Sequence, residues 1–229
     1  MLKLIKQQSL RKKLKVEQLA KMVNFPMFMK LDGKKVFVCG NGKIIEDKIQ
    51  KLIKFNPDIY LFPENDNYSI ENKNAKVINH MFTEDDLKEL PVFVIASCDE
   101  ERNNAIASAC RKNNIPVNVV DHPDLCDFTF GSMVTTENLC IGISSSGVSP
   151  TAAIRIKRDI MDVLPDNIDN ILEDMPAIRS WVHKWCPDKK MVPRVLNDII
   201  SMAFSLDRCL TREEIYSIKN YYSEGNIDE

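Results

Sequence analysis

The stretch "KKVFVCGNGKII", residues 34 to 45, decides how the rest of the chain is read. Val36 to Cys39 form a continuous apolar run that ends on Gly40. A continuous run, unlike an alternating one, marks a strand covered on both faces, as in a parallel sheet. The next residues, "IIEDKIQKLIKF" (44–55), carry apolar side chains at helical spacing, and Asn56-Pro57 stops them. A buried strand that turns through glycines into a helix is the opening unit of an α/β fold.

The alternation continues outward from that unit. "DIYLFP" (58–63), "AKVINHMF" (75–82), "PVFVIAS" (91–97) and "IPVNVV" (115–120) read as further strands. "EDDLKEL" (84–90) and "DEERNNAIASACRKNN" (99–114) read as the helices between them. The pattern predicts a Rossmann-like parallel sheet with helices on both faces, joined by right-handed crossovers. After Asp121 the rhythm breaks. "SMVTTENLCIGISS" (132–145) reads as two strands with a turn at Glu137-Asn138, and "SPTAAIRIKRDIMDVL" (149–164) opens a helix. From Pro165 onward the chain reads as all helix, with Trp181 and Trp185 on one face as core packing.

Composition bounds the class. The 229 residues carry a formal net charge of -2, which argues for neither a nucleic-acid partner nor a strongly acidic one. No apolar run approaches the roughly 20 residues of a membrane span, and the N-terminus lacks the apolar core of a secretory signal. Residues 1–23 carry seven Lys/Arg and one acid, which predicts a basic amphipathic helical extension. Seven widely spaced cysteines without a C-x-x-C pair fit reduced thiols, not a disulfide framework or structural zinc site. The expectation is a soluble, cytoplasmic protein.

The residues that could carry chemistry gather at strand ends. Gly40, Asn41, Gly42, Lys43 and Ile44 form the first strand-to-helix turn, where glycines let a backbone approach a pyrophosphate. Ile45 stands where a third glycine would complete G-x-G-x-x-G, so a plain tight turn competes with this reading. Glu64, with Asn65 beside it, ends the second strand, where an acid can bind a ribose diol and repel a 2′-phosphate. Ser97, Cys98 and Asp99 end the fourth strand on the same edge, and Asp99 equally suits a helix N-cap. Asp121 ends the fifth strand on that edge too, a ligand-facing acid or a solvated loop residue. His122 and Cys126 have the spacing of a metal pair but no third ligand, so no metal site is assigned. Ser144, Ser145 and Ser146 lead through Gly147 to Ser149 and Pro150, a helix start that could hold an anion, with Arg155, Lys157 and Arg158 downstream. The competing reading is a well-capped helix whose serines solvate a turn.

Together, "KKVFVCGNGKI", "VIASCDEERN", "VNVVDHPDLCDF" and "IGISSSGVSPTAAIRIKRDI" resemble the precorrin-2 dehydrogenase and sirohydrochlorin ferrochelatase family of siroheme synthesis. The likeness covers about residues 24 to 165. It implies NAD-dependent oxidation of precorrin-2 to sirohydrochlorin, and in some members insertion of Fe2+ to give siroheme. It also implies a homodimer, organised here as an NAD-binding Rossmann-like domain over 24–131, a dimerisation region over 132–165 and a helical C-terminal domain over 166–229. The family's essential aspartate falls on Asp121, its glycine loop on residues 40–44 and its serine-rich loop on Ser144, Ser145 and Ser146. The polycarboxylate substrate suits an anion-friendly helix start. Asn41, Ile45 and Asp47 depart from the family's G-G-G-x-V-A loop and the Arg-Lys pair after it, and predict weaker NAD binding. Two alternatives remain open: a non-catalytic tetrapyrrole-binding or chelatase-only protein with a degenerate nucleotide loop, and a redox sensor whose basic N-terminus binds DNA.

Overall fold

The apolar run of the first strand splits its side chains between two cores, and that split organises the sheet. The computed structural model describes residues 23–64 and 75–224. The basic helix expected over 1–23 and the Asn65 side chain lie outside them, apart from Val23. Strand β1 (Lys35–Gly40) leads into helix α1 (Lys43–Leu52), followed by β2 (Asp58–Phe62), β3 (Ala75–Val77), β4 (Phe93–Ser97), helix α2 (Glu100–Lys112) and β5 (Val117–Val119). The strands lie in the order β3-β2-β1-β4-β5, every neighbouring pair parallel.

Successive residues of a strand point to opposite faces. Phe37 and Cys39 of β1 accordingly pack with Val94, Ala96, Ile106 and Cys110 on the α2 side. Val36 and Val38 pack with Ile45, Ile49, Leu61 and Ile95 on the α1 side. Each such aliphatic side chain contributes about 1.5–3 kcal/mol on burial. Helix ends follow local chemistry. Asn56 takes a left-handed conformation (φ 51) after the short 3-10 turn that closes α1, as a C-terminal cap.

Two expected elements are shorter or tighter than the sequence pattern suggests. Of residues 75–82 Ala75–Val77 form the strand, the Ile78 N–H adds a bond to the Leu61 carbonyl at 2.8 Å, and Phe82 turns inward to the α2-side core. The expected helix over 84–90 is a 3-10 helix, Glu84–Glu89, opened by a capping box between Thr83 and Asp86.

Residues Pro26–Phe130 form one compact unit, and the described residues from Gly131 onward belong to a second. In the second unit, β6 (Ser132–Thr135) and β7 (Cys140–Ile143) pair antiparallel around the expected turn. Helix α3 (Pro150–Val163) packs on both strands. Helices α4 (Ile168–Trp185), α5 (Val192–Leu206) and α6 (Arg212–Ser223) follow. Val182, Val192, Val195 and Ile199 form their core, with Trp181 and Trp185 packed against it. The Asp169 carboxylate fastens α4 to the hairpin turn, accepting from Thr136 Oγ1 at 2.6 Å and the Asn138 N–H at 2.8 Å.

Candidate active site

Parallel strands present their carboxyl ends along one edge of the sheet, and the strand-end residues singled out above meet there. Gly40 has φ 125, and a Cβ on it would lie 2.3 Å from the Ser97 carbonyl oxygen. Only glycine lets β1 and β4 end side by side. Asn41 then turns its side chain to β2, where its Oδ1 accepts the Glu64 N–H at 3.1 Å. Gly42, at φ 85, precedes α1, and nothing lies within 4 Å of where its Cβ would be. No side chain caps that helix. The first N–H groups of an α-helix lack intrahelical partners and carry the positive end of its dipole. Exposed Lys43 and Ile44 are the first residues of this uncapped turn.

Ile45, in the place of a third glycine, is fully buried in the α1-side core. It fills the space over Gly40, with Cγ1 3.4 Å from the site of a Gly40 Cβ. Asp47 is exposed on the second helical turn. The glycine turn thus keeps its open helix start despite the three departures.

A second network closes the gap between β2 and β4. The Glu64 Oε1 accepts the Asp99 N–H at 3.3 Å. The Cys98 thiol is pushed up to about 12, by burial first and then by the Glu64 carboxylate beside it. Asp99 is the N-cap of α2, its Oδ1 accepting the Arg102 N–H at 2.8 Å. Buried Asn103 bonds both the Cys98 N–H and carbonyl, at 3.0 and 2.8 Å. Glu64 thereby reaches over the end of β1 from β2 to β4. A carboxylate offers about four acceptor positions, so a ribose diol can still be met there.

Asp121 follows β5, exposed and in the left-handed region with φ 62. Aspartate tolerates that conformation better than most residues. The segment after it is pinned from below. Cys126 Sγ accepts the Val119 N–H at 3.2 Å and donates to the Val119 carbonyl at 3.1 Å. Buried Asn118 donates to the Phe128 carbonyl at 2.9 Å. Cys126 is thus occupied as a backbone fastener in the arrangement where spacing paired it with His122.

Ser144, Ser145, Ser146 and Ser149 belong to the second unit. Ser149 caps α3 through the Ala152 N–H at 3.1 Å, with Pro150 at the first helical position. Ser145 Oγ accepts the Ser149 N–H at 3.0 Å, Ser144 Oγ the Ser146 N–H at 3.1 Å, and Ser146 Oγ the Asn24 N–H at 3.0 Å. Among the described residues none of these hydroxyls donates to the protein, so their O–H groups are available to an anion. Arg155 pairs with Asp159 at 2.7 Å, one turn along its own helix.

Residues 27–132 match a family model described as "Putative NAD(P)-binding". The chain is 29% identical to a siroheme synthase of Nitrosomonas europaea over 164 residues, 69% of this chain and 34% of the relative. It is 32% identical to a siroheme synthase of Pseudoalteromonas translucida over 165 residues, 70% of this chain and 35% of the relative. Over the matched residues the chain is similar to siroheme synthases. It spans about a third of the length of these relatives. The fold is that of the solved structure "SirC, precorrin-2 dehydrogenase", with a TM-score of 0.61, 17% identity, and coverage of 88% of this chain and 100% of that one. Among the described residues no helix is long and apolar enough to cross a membrane.

The Asn103 and Asn118 clamps went unread in the sequence. Their only signal was a polar residue in an otherwise buried stretch, visible for Asn118 as the break in "VNVV".

Proposed function

We propose that the protein oxidises precorrin-2 to sirohydrochlorin, with NAD as oxidant and Asp121 as general base. Similarity to siroheme synthases supports the substrate class, and the carrying observation is the open, uncapped helix start at Gly42 on the same sheet edge as Asp121. The residues present fit the dinucleotide. Gly42 leaves room beside its Cα, the first N–H groups of α1 can receive a pyrophosphate, and Glu64 can receive a ribose. NAD bound there would supply the hydride acceptor.

The oxidation removes a hydride and a proton from the substrate, and the proton needs its own acceptor. Asp121 is exposed on a loop whose base is fastened by Cys126 and Asn118, so its carboxylate is accessible and the backbone beside it is anchored. The O–H groups of Ser144, Ser145, Ser146 and Ser149 would donate to substrate carboxylates. Where Fe2+ enters as a substrate, the pyrrole protons it displaces would go to the same aspartate. The seven unpaired cysteines support a reducing, cytoplasmic setting.

We infer a homodimer from the second unit. Strands β6 and β7 pair only with each other among the described residues, and such edges recruit further strands. Ile154, Met161 and Val163 of α3 are exposed and extend the apolar surface. Light scattering at micromolar concentration should give twice the chain mass, and a monomer refutes this inference.

Asp121→Asn tests the base. It keeps shape and hydrogen-bonding reach, and should lower the oxidation rate at least about a hundredfold, the low end for general base catalysis. NAD affinity and melting temperature should hold. Oxidation at the parental rate would return Asp121 to a loop residue.

A further inference from the structure

Strand β7 ends at Ile143, and the chain doubles back before α3 begins at Pro150. The Val148 N–H meets the Ser145 carbonyl at 3.0 Å, and the two residues between them, Ser146 and Gly147, are left-handed, with φ 51 and 79. Glycine or asparagine adopts that conformation at less cost than serine. What serine adds is a hydroxyl, and its oxygen accepts the Asn24 N–H at 3.0 Å. Ser146 therefore moors the segment around Asn24 to the serine loop.

The mooring brings apolar surface to hydroxyl groups. Phe25 is 87% exposed, Val23 82%, and Val148, inside the loop itself, 65%. Burying a phenylalanine gains about 1.5–3 kcal/mol, a gain that Phe25 forgoes while it stands in water. In the loop beside it the serine oxygens accept backbone N–H groups, and among the described residues their O–H donors are unspent. Carbon surface next to unused donors suits a ligand that is carbon at its centre and carboxylate at its rim.

We propose that Phe25 and Val148 form an apolar shelf for the macrocycle of the tetrapyrrole substrate, whose carboxylate arms take the serine hydroxyls. The proposal rests on precorrin-2 being the substrate and adds to that reading the groups that hold its ring. A second copy of the chain docked here would bury the same side chains, but it would have to find acceptors for the hydroxyls. A polycarboxylate brings its acceptors with it.

The test reads binding apart from turnover. Sirohydrochlorin is titrated into the full chain without NAD, and the quenching of its fluorescence is followed. Phe25→Ala should weaken binding about tenfold, with melting temperature unchanged because the side chain is exposed. Phe25→Trp should bind as the parent does. In precorrin-2 oxidation the loss should fall on KM for precorrin-2, leaving kcat and KM for NAD at parental values. Ser146→Ala removes the mooring, so combined with Phe25→Ala it should cost less than the product of the two separate losses. Parental affinity in Phe25→Ala overturns the shelf, and so does a full product in the double variant. A weaker affinity that comes with a change of mass in light scattering also overturns it, because Phe25 is then a subunit contact. A parent that binds no sirohydrochlorin defeats the substrate reading itself, whereas a parent that binds it no better than Phe25→Ala defeats the shelf alone.

Discussion

Two helices of this protein begin in opposite ways. Helix α1 starts after Gly42 with no side-chain cap, whereas α3 starts after Ser149, whose hydroxyl accepts the Ala152 N–H. Each start is a cluster of small and polar residues, and each reads from sequence as an anion site. The difference lies in what the first turn does with its own N–H groups. At α3 the chain satisfies one internally, and the neighbouring serine oxygens accept other backbone donors of the loop. At α1 no side chain caps the turn, the Ile45 N–H turns back to the Gly42 carbonyl at 3.1 Å, and space is left beside Gly42. The first device is built for structure, with hydroxyl protons left for a ligand. The second leaves room for one, as the proposed NAD site requires.

Substitutions sharpen that contrast. Gly40→Ala should have the largest effect, about 3 kcal/mol of destabilisation by chemical denaturation, because its Cβ would meet the Ser97 backbone at 2.3 Å. Gly42→Ala meets no protein atom, so its structural cost should stay near 1 kcal/mol from the positive φ alone. Its NAD affinity, by calorimetry, should fall about tenfold, since the methyl would enter the space left for phosphate. Ser149→Ala should do the reverse, losing about 1 kcal/mol of stability with NAD affinity intact. Equal effects of the last two substitutions on NAD would erase the distinction between the helix starts. The smallest effect belongs to Glu64→Ala, which should improve NADP relative to NAD by about threefold in competition assays. No change in that ratio would take Glu64 away from the ribose.

The sheet was legible because its strands are continuous apolar runs and its helices carry a clear stripe, two periods that do not resemble each other. The N-caps Asp99 and Ser149 were legible because capping is local chemistry. What escaped the sequence is what distant segments do to each other. Nothing in "FPEN" shows that Glu64 will cross β1 to the Asp99 N–H, or that Asn41 will hold it from below. Ile45 reads in the sequence as a departure from the glycine pattern, yet the sheet has room for it because Gly40 beneath has no side chain. The spacing of His122 and Cys126 suggested a pair, whereas the thiol is taken up by the backbone of Val119.

The account stands on the nucleotide turn and Asp121 working in one reaction, and a single incubation tests it. Purified protein is mixed with precorrin-2, with and without NAD, and the visible spectrum is followed. Sirohydrochlorin should accumulate only with NAD, one NADH appearing for each molecule formed. Unchanged precorrin-2 in the presence of NAD, from protein that remains folded, would contradict the account and leave a tetrapyrrole-binding or chelatase protein in its place.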